Sequence, residues 1–214
     1  MNPFQYGFVG GTDSHNGTPG NTAEDNFMAG SHGAANATVA LRRTANVEGW
    51  LTARDTNPGA LTGVWATSGT RLQVRVFAGA GFPDDLPRRR DMVAELPTLG
   101  PGQAPQLLVW ARKDPDGADL ERIQVIKGWV DGAGQPHERI VNVVRSTGAP
   151  VLAGLWRDPA FDPRQNALYY VRVLEKPTPR WSTLDARRAG LPLLADVPAM
   201  VQERAWSSPI WVVP

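Results

Sequence analysis

Asp13 and His15 stand two residues apart in the stretch Gly10-Gly11-Thr12-Asp13-Ser14-His15-Asn16-Gly17, which follows the apolar run Tyr6-Gly7-Phe8-Val9. A carboxylate and an imidazole at this spacing are donor types that suit Zn, Mn or Fe, and Gly10, Gly11 and Gly17 let backbone and substrate come close. Two ligands do not complete a site, and a second reading stands beside the first. Asp and Ser in a glycine-rich turn cap the turn or the next helix, and a His ring is satisfied by a backbone carbonyl.

The elements around this pair decide how it is held. Tyr6 to Gly10 reads as a buried strand, and Thr22-Ala23-Glu24-Asp25 offers a Thr cap with an acidic residue three on, opening a short helix through Met28. The Asp13/His15 loop then joins a strand to a helix, where ligand-binding loops of α/β units converge. From Gly30 to Gly63 the pattern is weak. "TVALRRTANVEGWLTAR" has helical character and Asn57-Pro58-Gly59 is a turn.

Beyond residue 65 the period becomes two. "TRLQVRVFAG", "APQLLVWARKD", "LERIQVIKGWVD", "ERIVNVVRS", "NALYYVRVLEK" and "SSPIWVVP" read as strands. Asp114-Pro115-Asp116-Gly117 supplies turn chemistry, and Asp131-Gly132 predicts a hairpin. Ser182-Thr183-Leu184-Asp185 opens a helix like a capping box and Gly190 stops it, while Phe82 to Leu96 is a second helix candidate. The fold class is α/β plus β. A small α/β piece, 1–65, precedes an antiparallel β-sandwich-like domain, 66–214, with a short helix near 182–189.

Composition removes several chemistries. Lys and Arg number 22 against 21 for Asp and Glu, so no global field draws the protein to nucleic acid or to lipid. The absence of cysteine excludes disulfides, thiolate metal sites and cysteine nucleophiles. No run of about 18 apolar residues occurs and the N-terminus lacks the pattern of a signal peptide, which predicts a soluble protein, cytoplasmic or periplasmic. Arg88-Arg89-Arg90 is either a phosphate grip or a solvated face beside Asp84, Asp85 and Asp91. Ser68, Ser207 and Ser208 have no histidine nearby and no G-x-S-x-G elbow, so serine catalysis has no support. Trp110, Trp129, Trp156, Trp181, Trp206 and Trp211 lie in or beside β segments, where large aromatics form core more often than a ligand groove. His32 falls in a loop and His137 in a β turn, matching no ligand position.

In order along the chain, "NPFQYGFVGGTDSHNGTPGNTAEDNF", "NPGALTGVW", "ATSGTRLQVRVFAG", "LLVWARKDPDGADLERIQVIKGW", "ALYYVRVLEKPTPRWS" and "QERAWSSPIWV" resemble the C-terminal part of a bacterial family, domain of unknown function 3604. That family is similar to the polymerase and histidinol phosphatase (PHP) metallohydrolases. The resemblance implies a distorted βα barrel whose strand ends carry a cluster of divalent metal ions that activate water, typically against phosphate esters. The last barrel motif of that pattern is D-x-H, which falls on Asp13 and His15, with an expected role as catalytic metal ligands.

The H-x-H motif that opens such a domain and the middle Glu and His ligands have no counterpart here. The resemblance therefore implies the C-terminal remnant of a barrel, whose other ligands an N-terminal complementing polypeptide would supply. Three junctions are shorter than the family pattern: Trp65 to Ala66, Leu99 to Pro101, and Ser146 to Ala149. The expected function is metal-dependent hydrolysis of a small-molecule ester or phosphoester. The alternative is a non-catalytic β-rich binding module or self-associating homo-oligomer, since an incomplete barrel leaves strand edges and apolar surface to be covered.

Overall fold

Strands with period-two patterning bury one face and pair sideways through their backbones, so the second half of the chain is built to stack sheets. A computed structural model of the protein describes residues 6–11, 22–27, 38–44, 46–47, 51–52, 58–62, 73–79, 94–96 and 99–214. The helices are α1 (Val39–Thr44) and α2 (Trp181–Ala189), with a 3-10 turn at Glu24–Asn26. The strands are β1 (Asn46–Val47), β2 (Leu51–Thr52), β3 (Gln73–Gly79), β4 (Ala94–Leu96), β5 (Gln106–Arg112), β6 (Leu120–Val130), β7 (Pro136–Ala149), β8 (Val151–Arg157), β9 (Ala167–Glu175), β10 (Thr178–Pro179), β11 (Met200–Val201), β12 (Arg204–Trp206) and β13 (Ile210–Val212). Contacts divide the chain into two units. One comprises Met1–Phe8, Gly63–Lys176 and Glu203–Pro214, the other Val9–Thr62 and Pro177–Gln202.

The first unit is mostly antiparallel β-sheet. One sheet runs β4-β13-β9-β6-β7, with β12 also paired to β9, and the other runs β3-β5-β8. The β13–β4 pair is parallel. Along β9, Ala167, Tyr169, Val171 and Val173 are buried while Leu168, Tyr170 and Arg172 are half-buried. The buried set meets Leu107, Val109 and Ala111 of β5, Ile123 and Val125 of β6, and Leu152 of β8 in one core shared by both sheets. Each Val, Leu or Ile among them contributes about 1.5–3 kcal/mol on full burial, so this layer is what holds the sheets together. Gly154 of β8 is required by the packing, since a Cβ there would stand 2.5 Å from Val144 Cγ2 and 2.9 Å from Val143 Cγ1.

The turn residues act as their chemistry demands. Gly117 N–H donates to Asp114 O at 3.0 Å, but this turn carries the chain from β5 in one sheet to β6 in the other. The Asp131-Gly132 turn closes the expected hairpin: Asp131 Oδ1 accepts from Ala133 N and Gln135 N, each at 2.9 Å, and Val130 faces Pro136.

In the second unit, Trp181 of α2 is buried and packs on Phe27 with ring centroids 5.2 Å apart. Arg42 of α1 reaches Asp185 of α2, with Nε 2.9 Å from Oδ2, and Arg188 NH1 donates to Asp25 O at 2.7 Å. These contacts gather the 3-10 turn, α1 and α2.

Several local expectations give way. Residues 6–11 are not a strand: Tyr6 and Val9 are 66% and 80% exposed, and Phe8 N–H donates to Ser208 Oγ rather than into a ladder. Interruption by Gly7, Gly10 and Gly11 leaves too few side chains to pay the ordering entropy of a strand. The helix expected through Met28 is a three-residue 3-10 turn capped by Ala23 with no side-chain bond. α2 starts one residue early, with Arg180 as its cap, because Thr183 Oγ1 donates to Ala199 O and Ser182 Oγ accepts from Arg180. Gly190 does end it, at φ 63°. Within the second helix candidate, Ala94–Leu96 is strand, and 82–93 lie outside the described residues. β8 was not anticipated.

Candidate functional site

Asp13 and His15 lie outside the described residues, as do His32, Ser68 and Arg88-Arg89-Arg90. The chain leading to Asp13 and His15 is described up to Gly11. Gly10 N–H donates to Thr62 Oγ1 at 2.7 Å, the same hydroxyl donates back to Gly10 O at 2.8 Å, and Ala60 N–H donates to Gly11 O at 3.1 Å. A Cβ on Gly10 would stand 2.9 Å from that of Ala60. Two backbone carbonyls and one amide are thus fixed against 60–62 within three residues of Asp13, which restrains the chain at Gly10 and Gly11 without using side chains there. Among the described residues, no three His, Asp or Glu side chains group so as to hold a metal ion.

The core shared by the two sheets carries a polar centre that sequence reading missed. Lys127 of β6 continues the core face of Ile123 and Val125, and its ammonium lies 2.5 Å from Asp158 Oδ2 and donates to Ala160 O at 2.9 Å. Tyr169 OH donates to the same Asp158 oxygen at 2.7 Å, and Ala160 N–H donates to Asp158 Oδ1 at 2.9 Å. All three side chains are buried. Burial pushes the Tyr169 phenol well above its ordinary range, and the Asp158 hydrogen bond and charge add to the effect. Lys127 also lies 5.3 Å from the centroid of Trp129. Every atom of the centre is engaged, so its chemistry is structural. The legible signal was a lysine in register with the core residues of an apolar strand.

Asp158 also borders a surface pocket of about 490 Å³ lined by Gly100, Gln103, Arg157 and Phe161. Arg157 NH2 donates to Gly102 O there at 2.9 Å, which ties the end of β8 to the 100–103 turn.

At the β6–β7 turn, His137 is not in a turn but opens β7. Its Nε2 is 2.8 Å from Asp131 Oδ2 and its ring stacks on Trp129 at 5.2 Å. The His137 hydrogen bond holds the Asp131 carboxyl below its usual range. Of the tryptophans read as core, Trp181 is buried, Trp129 and Trp156 pack against the core, and Trp206 is 47% exposed.

Glu175 closes β9 with its carboxylate against the Asp114–Gly117 turn, Oε2 accepting from Ala118 N at 3.2 Å. Burial pushes its carboxyl up to about 7, with Glu203 and Asp114 adding and the Ala118 N–H and Lys113 opposing. The fold holds this proton more tightly than the unfolded chain, so the stabilisation is complete below the unfolded value of 4.5 and is lost as pH rises through about 7. Glu175→Gln should therefore gain on the parent as pH rises. Urea unfolding at about pH 5 and about pH 8 checks this, and a pH-independent difference between the two proteins would refute it.

The profile of the family described as protein of unknown function (DUF3604) matches residues 1–68, 64–147 and 144–214. The chain belongs to this family. No curated protein and no solved structure matches it significantly. The DUF3604 match breaks at 64–68 and 144–147, at two of the three junctions expected from the resemblance to be short. The second break falls where β7 leaves register with β6: Arg122 faces Arg145 and Leu120 faces Ala149, so three residues oppose Glu121. Gly148 within this bulge has φ 138° and Ser146 Oγ accepts its N–H at 3.0 Å. In this DUF3604 chain, the strand crosses the break through a glycine conformation that other residues rarely adopt.

Proposed function

We propose that this DUF3604 chain contributes Asp13 and His15 as ligands to a divalent metal centre, of the kind found in PHP-type hydrolases, that acts on a small ester or phosphoester. The observation that carries the reading is the backbone anchor at Gly10 and Gly11 immediately before D-x-H, in a chain that belongs to the family over its whole length. Paired carboxylate and imidazole donors fit Zn, Mn or Fe. When bound, such an ion lowers the pKa of a coordinated water and polarises a phosphoryl or carbonyl oxygen. The chain's own part is to restrain the loop that presents the two donors, through Thr62 and the Gly11–Ala60 bond.

Elemental mass spectrometry on the purified protein and on an Asp13→Ala/His15→Ala variant tests the reading. Retention of Zn, Mn or Fe by the parent after dialysis, with about a tenfold or greater loss in the variant, is the expected result. Equal metal content in the two proteins, or none in either after loading with each metal, would overturn the assignment. Thermal unfolding with added metal gives a second readout, since a ligand that binds the folded state raises the parent's midpoint and not the variant's.

A further inference from the structure

A cross-strand row on the outer face of the larger sheet runs from a carboxylate on β7 to an indole on β13. Glu138 of β7 faces Gly128 of β6, Gly128 faces Leu168 of β9, and Leu168 faces Trp211 of β13. Gly128 has no side chain to fill its place, and a Cβ there would stand 3.4 Å from Leu168 Cγ. The result is a pocket of about 360 Å³ with an apolar floor. Tyr170 and Phe8 wall it, their rings edge to face at 5.4 Å.

The charges bordering this hollow have one sign. Glu138 is exposed and makes no ion pair among the described residues, and no Lys or Arg is among the residues that line the pocket. His137, also on the rim, is held by Asp131. Burial raises the pKa of the Tyr170 phenol and the Glu138 charge raises it further, so the carboxylate field reaches the ring, while Arg172 further along β9 opposes it and donates to Gln124. Aromatic faces and a carboxylate both favour a cation, and the bare strip over Gly128 and Leu168 favours a hydrocarbon.

We infer that the hollow between Glu138 and Trp211 binds an organic ammonium ligand, with the cationic head at Glu138 and the rings and the apolar stem along the Gly128–Leu168 strip. Neither Asp13 nor His15 is among the lining residues, and the inference does not depend on metal.

Amide chemical shifts of the 15N-labelled full chain, titrated with n-pentylammonium chloride and in parallel with 1-pentanol, test it. The ammonium should move the Gly128, Glu138 and Tyr170 amides and bind about tenfold more tightly than the alcohol, the size of a cation–π contact joined to a charge. Glu138→Gln, an exposed change that keeps the fold, should erase that preference, and high salt should reduce it. Equal binding of amine and alcohol would show an apolar hollow only and overturn the inference. So would an unchanged preference in the variant, or shifts confined to other amides.

Discussion

Asp158→Ala should destabilise the β-rich unit by about 3–5 kcal/mol, the largest loss expected of any single polar substitution among the described residues. Its carboxylate takes hydrogen bonds from Lys127, Tyr169 and the Ala160 amide, and all three side chains are out of water. Truncation leaves the Lys127 ammonium with only the Ala160 carbonyl and the aromatic faces of Trp129 and Tyr169, and leaves the Tyr169 hydroxyl without its acceptor. An uncompensated buried charge costs more than a paired one contributes, so removing both charges is milder than removing one. Asp158→Leu combined with Lys127→Met should recover most of the loss. Urea unfolding with a shared slope for parent and variants measures both effects. A loss under about 1 kcal/mol for Asp158→Ala, or a double variant worse than the single, would mean the pair is not desolvated as described.

Trp181→Ala should cost about 3–5 kcal/mol in the unit formed by 9–62 and 177–202. Trp181 is 1% exposed, packs on Phe27 and lies under the Arg180 guanidinium at 5.0 Å, while its backbone N–H donates to Glu24. Removing the indole leaves a void beneath the first turn of α2 and unseats the 3-10 turn that follows Asp13 and His15 in sequence. Amide hydrogen exchange should rise across α2 and residues 24–27 while β6 and β9 keep their protection. Uniform loss of protection through the core of the β-rich unit, or none at all, would contradict this division. If the metal reading holds, the same variant should retain Asp13 and His15 yet bind metal more weakly, because the 3-10 turn that follows them in sequence has loosened.

The β strands from Gln106 onward were legible because alternation is a local signal. Leu107, Val109 and Ala111, or Tyr169, Val171 and Val173, announce their buried face by period alone. β8 escaped for the same reason. "VLAGLWR" contains the glycine that lets it approach β7, which blurs the alternation, and its burial depends on Val143 and Val144 some ten residues earlier. The run 6–11 misled in the opposite direction, since its apolar residues resemble a strand locally but find no ladder partner. The capping box at 182–185 failed because Ser182 and Thr183 found better partners in Arg180 and the Ala199 carbonyl, neither of which local spacing reveals.

Read alone, the residues established a cysteine-free, nearly neutral chain with a β-rich second half, and the D-x-H pair as its one pattern suited to metal chemistry. Its phrases pointed to the family to which the chain belongs. Tertiary structure decided what sequence spacing could not: which lysine is buried and by whom it is paired, where a missing side chain opens a hollow between a carboxylate and an indole, and how a strand crosses the break at 144–147. The physical reason is range. Periodicity and turn chemistry act over a few neighbours, whereas Lys127 meets Asp158 across 31 positions and the Glu138–Trp211 row draws on four strands. Burial, and the charge and packing arrangements that depend on it, exist only once those strands have been brought together.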